Sequence, residues 1–199
     1  MKKLAVLILT FISLYGYGQD KSCEKWYSNI EFDVIIHKKA TYSYSYIDNS
    51  NEKHVIWDEE LNNKKIAFGL TYSYNYMLFK KMSIGVLTGY KKYNQPDFSI
   101  LELGGIMKFF FVDTNNVFLY GLVTSEISTN KNQFKSGTNA RIGIGVPIIK
   151  RDKFNISLNL FKEQQLLRLD GAESLFNYEQ EKPGDIIFKS YGLSTGIKF

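Results

Sequence analysis

Residues 190–199 read SYGLSTGIKF, and they alternate strictly: Tyr191, Leu193, Thr195, Ile197 and Phe199 share one face, while Ser190, Gly192, Ser194, Gly196 and Lys198 share the other. Successive side chains of a strand point to opposite faces. The segment therefore reads as a strand with one apolar side and one small, polar side. A lipid-facing wall around a narrow polar lumen requires that division.

The same split recurs upstream. Phe154, Ile156, Leu158 and Leu160 oppose Asn155, Ser157 and Asn159, and Ala140, Ile142, Ile144, Val146 and Ile148 oppose Arg141, Gly143 and Gly145. Ile66 to Tyr76 and Met82 to Tyr90 alternate likewise, with Gly, Ser and Thr prominent on the second face. Leu101, Leu103, Met107, Phe109 and Phe111 oppose Glu102, Gly104 and Lys108; Val117 to Ile127 is a less regular strand; Ile30, Phe32, Val34 and Ile36 give the first. Together they predict an all-β fold, an antiparallel up-and-down transmembrane β-barrel of about eight strands. Residues 41–47, where Tyr42, Tyr44 and Tyr46 alternate with Ser43 and Ser45, either continue the first strand above the membrane or are the first strand themselves. That choice leaves the strand count open by one or two.

The connections alternate in length. Turns at 79–81, 113–116 and 150–153 are short, and 37–63, 94–97, 130–135 and 170–185 form the generally longer set. Short periplasmic turns and longer outer loops place both chain ends on the periplasmic side of an outer membrane. Tyr76, Phe79, Phe109, Phe111, Phe118, Phe154 and Phe199 then gather as an aromatic belt at the periplasmic interface. Pro147, which has no N–H for a ladder, falls near a strand end before the Lys150 turn. An exported soluble barrel or sandwich would also alternate, with its apolar faces inward. Long continuous apolar faces and rings at one end favour the membrane form.

The N-terminus supports export: Lys2 and Lys3 precede the apolar run Leu4 to Leu14 and the small-residue stretch Gly16-Tyr17-Gly18-Gln19, the layout of a signal peptide. The expected organisation is a signal at 1–19 and one barrel domain at 20–199, an ordinary domain size. No later run is apolar enough for a spanning helix. The formal charge of +5 falls by two without Lys2 and Lys3, which is weak support for an acidic partner. Lipopolysaccharide phosphates remain an attraction for a lysine-bearing loop, and export argues against nucleic acid. Cys23 is the single cysteine and reads as a free thiol.

The Lys2-Lys3 signal ending in Gly18-Gln19, the threading, and the last strand from Tyr191-Gly192-Leu193 to Ile197-Lys198-Phe199 resemble the small outer-membrane β-barrel proteins of Bacteroidetes-type bacteria, in the OmpA-like or OmpX-like eight-stranded class. The likeness covers nearly the whole chain. It implies that the closing strand with its terminal aromatic is the signal read by the barrel-assembly machinery, carried here by Tyr191, Gly192, Leu193, Ile197 and Phe199.

Candidate chemistry is sparse. A lipid-modifying hydrolase needs a nucleophile beside a base at the lipid interface, but the two histidines, His37 and His54, form no His-x-Ser pair and read as solvated surface residues. His37, His54, Asp58, Glu59 and Glu60 match no zinc spacing, and Asp48, Asn49, Asn51 and Asp170 form no twelve-residue calcium loop. No cofactor is expected. Glu31, Asp33, Glu102, Lys108, Arg141 and Lys198 fall on inner faces, where a lone charge is costly. They are expected to form a salt-bridge network that fills the lumen, as side chains do in small barrels. Lys189 faces outward near the outer end, where it can snorkel. Loops 37–63 and 170–185, with Trp57, Tyr46, Phe176 and Tyr178, are the candidate partner surface. The preferred reading is a structural or surface-interaction barrel in contact with outer-membrane lipid; a narrow transport barrel and a lipid A-modifying hydrolase are the alternatives.

Overall fold

The computed structural model describes residues 25–48, 50–61, 66–112, 115–130, 133–151, 153–170, 172, 174–176 and 180–199. The expected signal peptide, Cys23, Asn49 and Tyr178 lie outside them.

Alternation becomes nine strands among the described residues: β1 (Trp26–Ile47), β2 (Lys53–Leu61), β3 (Ile66–Phe79), β4 (Met82–Lys92), β5 (Ser99–Phe110), β6 (Phe118–Ser128), β7 (Ser136–Lys150), β8 (Asn155–Arg168) and β9 (Lys182–Lys198). Every neighbouring pair is antiparallel, and β1 also pairs with β9, so β1 and β3 to β9 close an eight-stranded barrel. The shortest barrel strands, β4 and β6, have 11 residues each. A tilted strand needs roughly 9–11 to cross a bilayer.

Trp26 and Phe199 lie at the end of the barrel that carries the short turns, where Ser28 and Phe199 exchange backbone hydrogen bonds of 2.8 and 3.0 Å. The opposite end carries the longer connections. Residues 37–63 are not the long loop expected there. β1 runs on to Ile47, and β2 folds back against it in register from Ala40–Leu61 to Ile47–Lys53. β9 flanks the other side of this extension, from Lys39–Lys189 to Ser45–Lys182, so the 170–185 loop also loses its last four residues to a strand. Residues 41–47 thus continue the first strand, and β2 is a ninth strand outside the barrel.

A bulge between His37 and Lys39 is what defeats simple parity here. One extra residue lets Lys38 and Lys39 both face outward. Below it the odd-numbered Glu31, Asp33 and Ile35 are buried; above it the even-numbered Ala40, Tyr42 and Tyr44 are. Pro147 also sits beside a bulge, between its own pair with Ser157 and the pair Ile149–Ile156, which relieves the missing ladder donor.

The apolar faces point outward. Phe32, Phe68, Leu70, Leu103, Met107, Val123, Ile142, Leu160, Tyr191 and Leu193 are exposed on the outer wall, the reverse of a soluble barrel. Phe79, Phe109, Phe111, Phe154 and Phe199 ring the turn end in exposed positions. Tyr76 is half-buried there, with its ring centroid 4.5 Å from that of Trp26. Phe118 does not belong to that belt. It is buried inside, 5.5 Å from the Phe110 ring, because the inner parity of β6 runs through residues 118, 120, 122, 124 and 126.

Candidate functional site: the filled lumen and the outer hairpin

The lumen is built from inner-face residues in stacked layers. Tyr27, Phe110, Phe118 and Tyr120 fill the turn end. Here Lys108 Nζ lies 3.4 Å from Glu31 Oε1 and 5.3 Å from the Phe118 ring centroid. In the middle, Arg141 Nη1 donates to Asp33 Oδ2 at 2.7 Å, its Nη2 donates to Glu163 Oε2 at 2.9 Å, and its guanidinium lies 3.8 Å from the Phe161 ring centroid.

Above Arg141, Lys91 is fully buried and meets three carboxylates: Glu102 Oε1 at 2.9 Å, Glu163 Oε2 at 3.1 Å and Glu126 Oε1 at 3.9 Å. Gln165 donates to Glu126 at 2.6 Å, and Asn139 bridges Glu102 and Glu163. Toward the loop end, Ile100, Leu167, Leu169, Ile186 and Phe188 close the column with apolar side chains.

Of the six inner charges read from the sequence, Asp33, Glu102 and Arg141 are brought into one connected group through Lys91 and Glu163, and Glu31 and Lys108 form a separate pair. Lys198 joins neither. Last in β9, it sits at the open mouth, 4.7 Å from the Tyr27 ring centroid and 3.4 Å from Asn115 Oδ1. Lys91, Glu126 and Glu163, which extend and link the group, are not among those six. Each continues an inner face already visible: Lys91 follows Gly89, Glu163 follows Asn159 by two alternations, and Glu126 lies on the irregular sixth strand.

His37 is not a surface residue. It is 8 % exposed, its Nδ1 lies 2.8 Å from Ser190 Oγ, and its ring stacks on Tyr93 at 4.9 Å. The strand continues past it, so what looked like an outer end is a wall of the lumen. The His37–Ser190 pair faces inward with Ser190 1 % exposed, away from any lipid ester on the outer wall.

His54 belongs to the hairpin turn instead. Asp48 Oδ1 accepts from the N–H groups of Ser50 and Glu52, both at 2.9 Å, and Asp48 Oδ2 lies 2.9 Å from His54 Nε2. Asn51 takes the left-handed φ of 60° that the turn needs, a conformation Asn tolerates. Asp48, Glu52 and His54 place one ligand atom each within 4.8 Å of one another, yet the Asp48 carboxylate is already committed to the turn.

The His54 contact and then the backbone donors hold the Asp48 carboxyl below the usual aspartate range. The turn's support is therefore complete above the ordinary aspartate pKa and fades as pH falls through the lowered value. Asp48→Ala at neutral pH, or acid in the unaltered protein, is expected to lower the protection of the Ser50 and Glu52 amides, read as the exchange rate relative to the intrinsic rate at the same pH. Equal protection in both proteins would remove this role.

Among the aromatic candidates for a partner surface, Trp57 is 76 % exposed on β2. Tyr46 stacks on His54 at 5.1 Å, and Phe176 packs on Tyr42 and Tyr44 at 5.7 and 5.4 Å. Of the closing-strand residues, Tyr191, Leu193, Ile197 and Phe199 are exposed on the outside, while Gly192 faces the Phe161 ring.

These features define a class: a closed eight-stranded antiparallel barrel with an apolar outer wall, a packed polar interior and one added strand. No protein-family model matches the chain, and no curated protein does. Among solved structures, it is similar to Neisserial surface protein A (13 % identity, 89 % of this chain and 98 % of that one, TM-score 0.47). It is also similar to outer membrane protein OprG from Pseudomonas aeruginosa (11 %, 87 % and 95 %, 0.48) and outer membrane protein AlkL (8 %, 92 % and 94 %, 0.45).

Proposed function

We propose that this chain is an outer-membrane barrel with a structural or surface-interaction role and a lumen closed to ions. The observation that carries the reading is its reversed polarity: exposed apolar side chains form the wall, and buried ion pairs and rings fill the interior. An apolar exterior of this kind is stable only in lipid, where closure leaves no strand edge unpaired. With the short turns on the periplasmic side, both Trp26 and Phe199 are periplasmic, and the β1–β2–β9 extension stands outside the cell with Trp57 on its surface. The partner is a surface molecule that meets this extension. Lipid and lipopolysaccharide surround the wall, and the outward aromatic and aliphatic residues of β9 support its reading by the barrel-assembly machinery, as in the Bacteroidetes-type barrels it resembles.

Two measurements test the proposal together. The outer-membrane fraction should contain a protein whose gel mobility in SDS changes on boiling, and the purified barrel in planar bilayers should show no steady conductance. A stable ohmic channel would sink the closed-lumen reading in favour of narrow transport. A soluble protein with no mobility change would sink the membrane reading itself.

A further inference from the structure

The outer wall is uneven. Strand pairing sets the outward residues of β4 to β8 in two adjacent rows. One runs Ile84, Met107, Gly121, Ile142, Lys162, and the next carries Gly105 and Ala140 and ends at Gln164. Between and over the small residues lies an open groove of about 800 Å³. That is the size of a site for a small organic ligand.

The groove has a direction and a change of chemistry along it. Ile84 is the third residue of β4 counted from the turn end, and Lys162 is the eighth residue of β8 counted from the same end. The groove thus climbs from an apolar foot toward the loop end and finishes at a cation. Beyond it the positive charge continues: Lys162 pairs with Tyr191, Gln164 pairs with Lys189, and the bulge of β1 turns Lys38 outward so that its Nζ lies 5.9 Å from the Tyr191 ring centroid. All three lysines are exposed, and among the described residues none is ion-paired with a carboxylate, whereas the neighbouring Lys39 meets Glu60 at 3.7 Å.

We propose that this groove seats an acyl chain of a phosphorylated lipid of the outer leaflet, with Lys38, Lys162 and Lys189 holding its phosphate. The apolar foot matches a hydrocarbon chain, and the cluster at the top matches an anionic headgroup at the depth where lysines snorkel. The assignment rests on the membrane placement proposed above; it adds a specific lipid site to a wall that would otherwise only be solvated by lipid.

The test uses the full barrel folded into phosphatidylcholine vesicles with and without a minor fraction of phosphatidic acid, followed by extraction and native mass spectrometry of the retained lipid. The unaltered protein should keep phosphatidic acid in preference to phosphatidylcholine. Lys162→Glu with Lys189→Glu should cut that retention about tenfold or more, and Gly105→Leu with Gly121→Leu should cut it by filling the groove. The lysine pair is exposed, so its variant remains informative if the glycine variant does not fold. No preference for the phosphorylated lipid, unchanged retention in the lysine variant, or displacement by inorganic phosphate alone would each overturn the site. Failure of the membrane reading is separate, because it appears as a protein that never inserts and never shifts on boiling.

Discussion

Lys91→Met is expected to destabilise the barrel by roughly 3–5 kcal/mol, the usual cost of stripping one partner from a buried ion pair. Its ammonium lies within 4 Å of Glu102, Glu126 and Glu163, all of which are buried. Methionine has nearly the same length and fits the same space, so the change removes charge with little change in packing. What remains is three buried carboxylates, of which Glu163 alone keeps a cation, Arg141 at 2.9 Å. Adding Glu102→Gln to Lys91→Met should recover part of the loss, because the two residues act in one network and their effects do not add. Urea unfolding in vesicles, followed through Trp26 and Trp57, measures the difference. A loss below about 1 kcal/mol would mean that the lumen admits water to Lys91, and the closed-lumen reading would fail with it.

Much of this arrangement is legible in the sequence, and the reason is the period of two along a strand. Ser190 to Phe199 alone separates wall from lumen, and the same parity places Asp33, Glu102 and Arg141 inside. Sequence and structure part where the parity breaks or where an inner face runs on into the next turn of the pattern. The bulge between His37 and Lys39 shifts the inner face by one residue, so Tyr42 and Tyr44 become buried, and of the two strand readings open for 41–47 the continuation of the first strand holds, with β2 paired against it. His37 looked like a strand end because the pattern changes just after it. Position along the chain puts Phe118 in the belt, whereas its parity points inward.

Pairing partners are a different matter. Which carboxylate meets Lys91 depends on the stagger of eight strands around a closed barrel, and nothing local to residues 91, 102, 126 or 163 encodes that stagger. The outer groove is hidden for the same reason. Gly105, Gly121 and Ala140 are unremarkable until register sets them side by side.

Two adjacent glycines should respond oppositely to the same substitution. At Gly104 a Cβ would lie 2.1 Å from the carbonyl oxygen of Val123 and 2.7 Å from Thr124 Cα. Both atoms are backbone of β6, which is held by ladder pairs on both sides, so no side-chain rotation can make room. Gly104→Ala must therefore push β5 and β6 apart, and overpacking of that kind costs about 1–3 kcal/mol or more. At Gly105 the nearest atom to a new Cβ is the carbonyl oxygen of Gly85 at 3.8 Å, an ordinary contact. Gly105→Ala should then be neutral or gain about 0.4–1 kcal/mol by restricting the unfolded chain. Melting of the boiled-versus-unboiled gel shift reports both variants in one experiment. A fall in melting temperature for Gly104→Ala alone supports the packing of β5 on β6 as described, and equal behaviour of the two variants would mean that the inward and outward faces of β5 are wrongly placed.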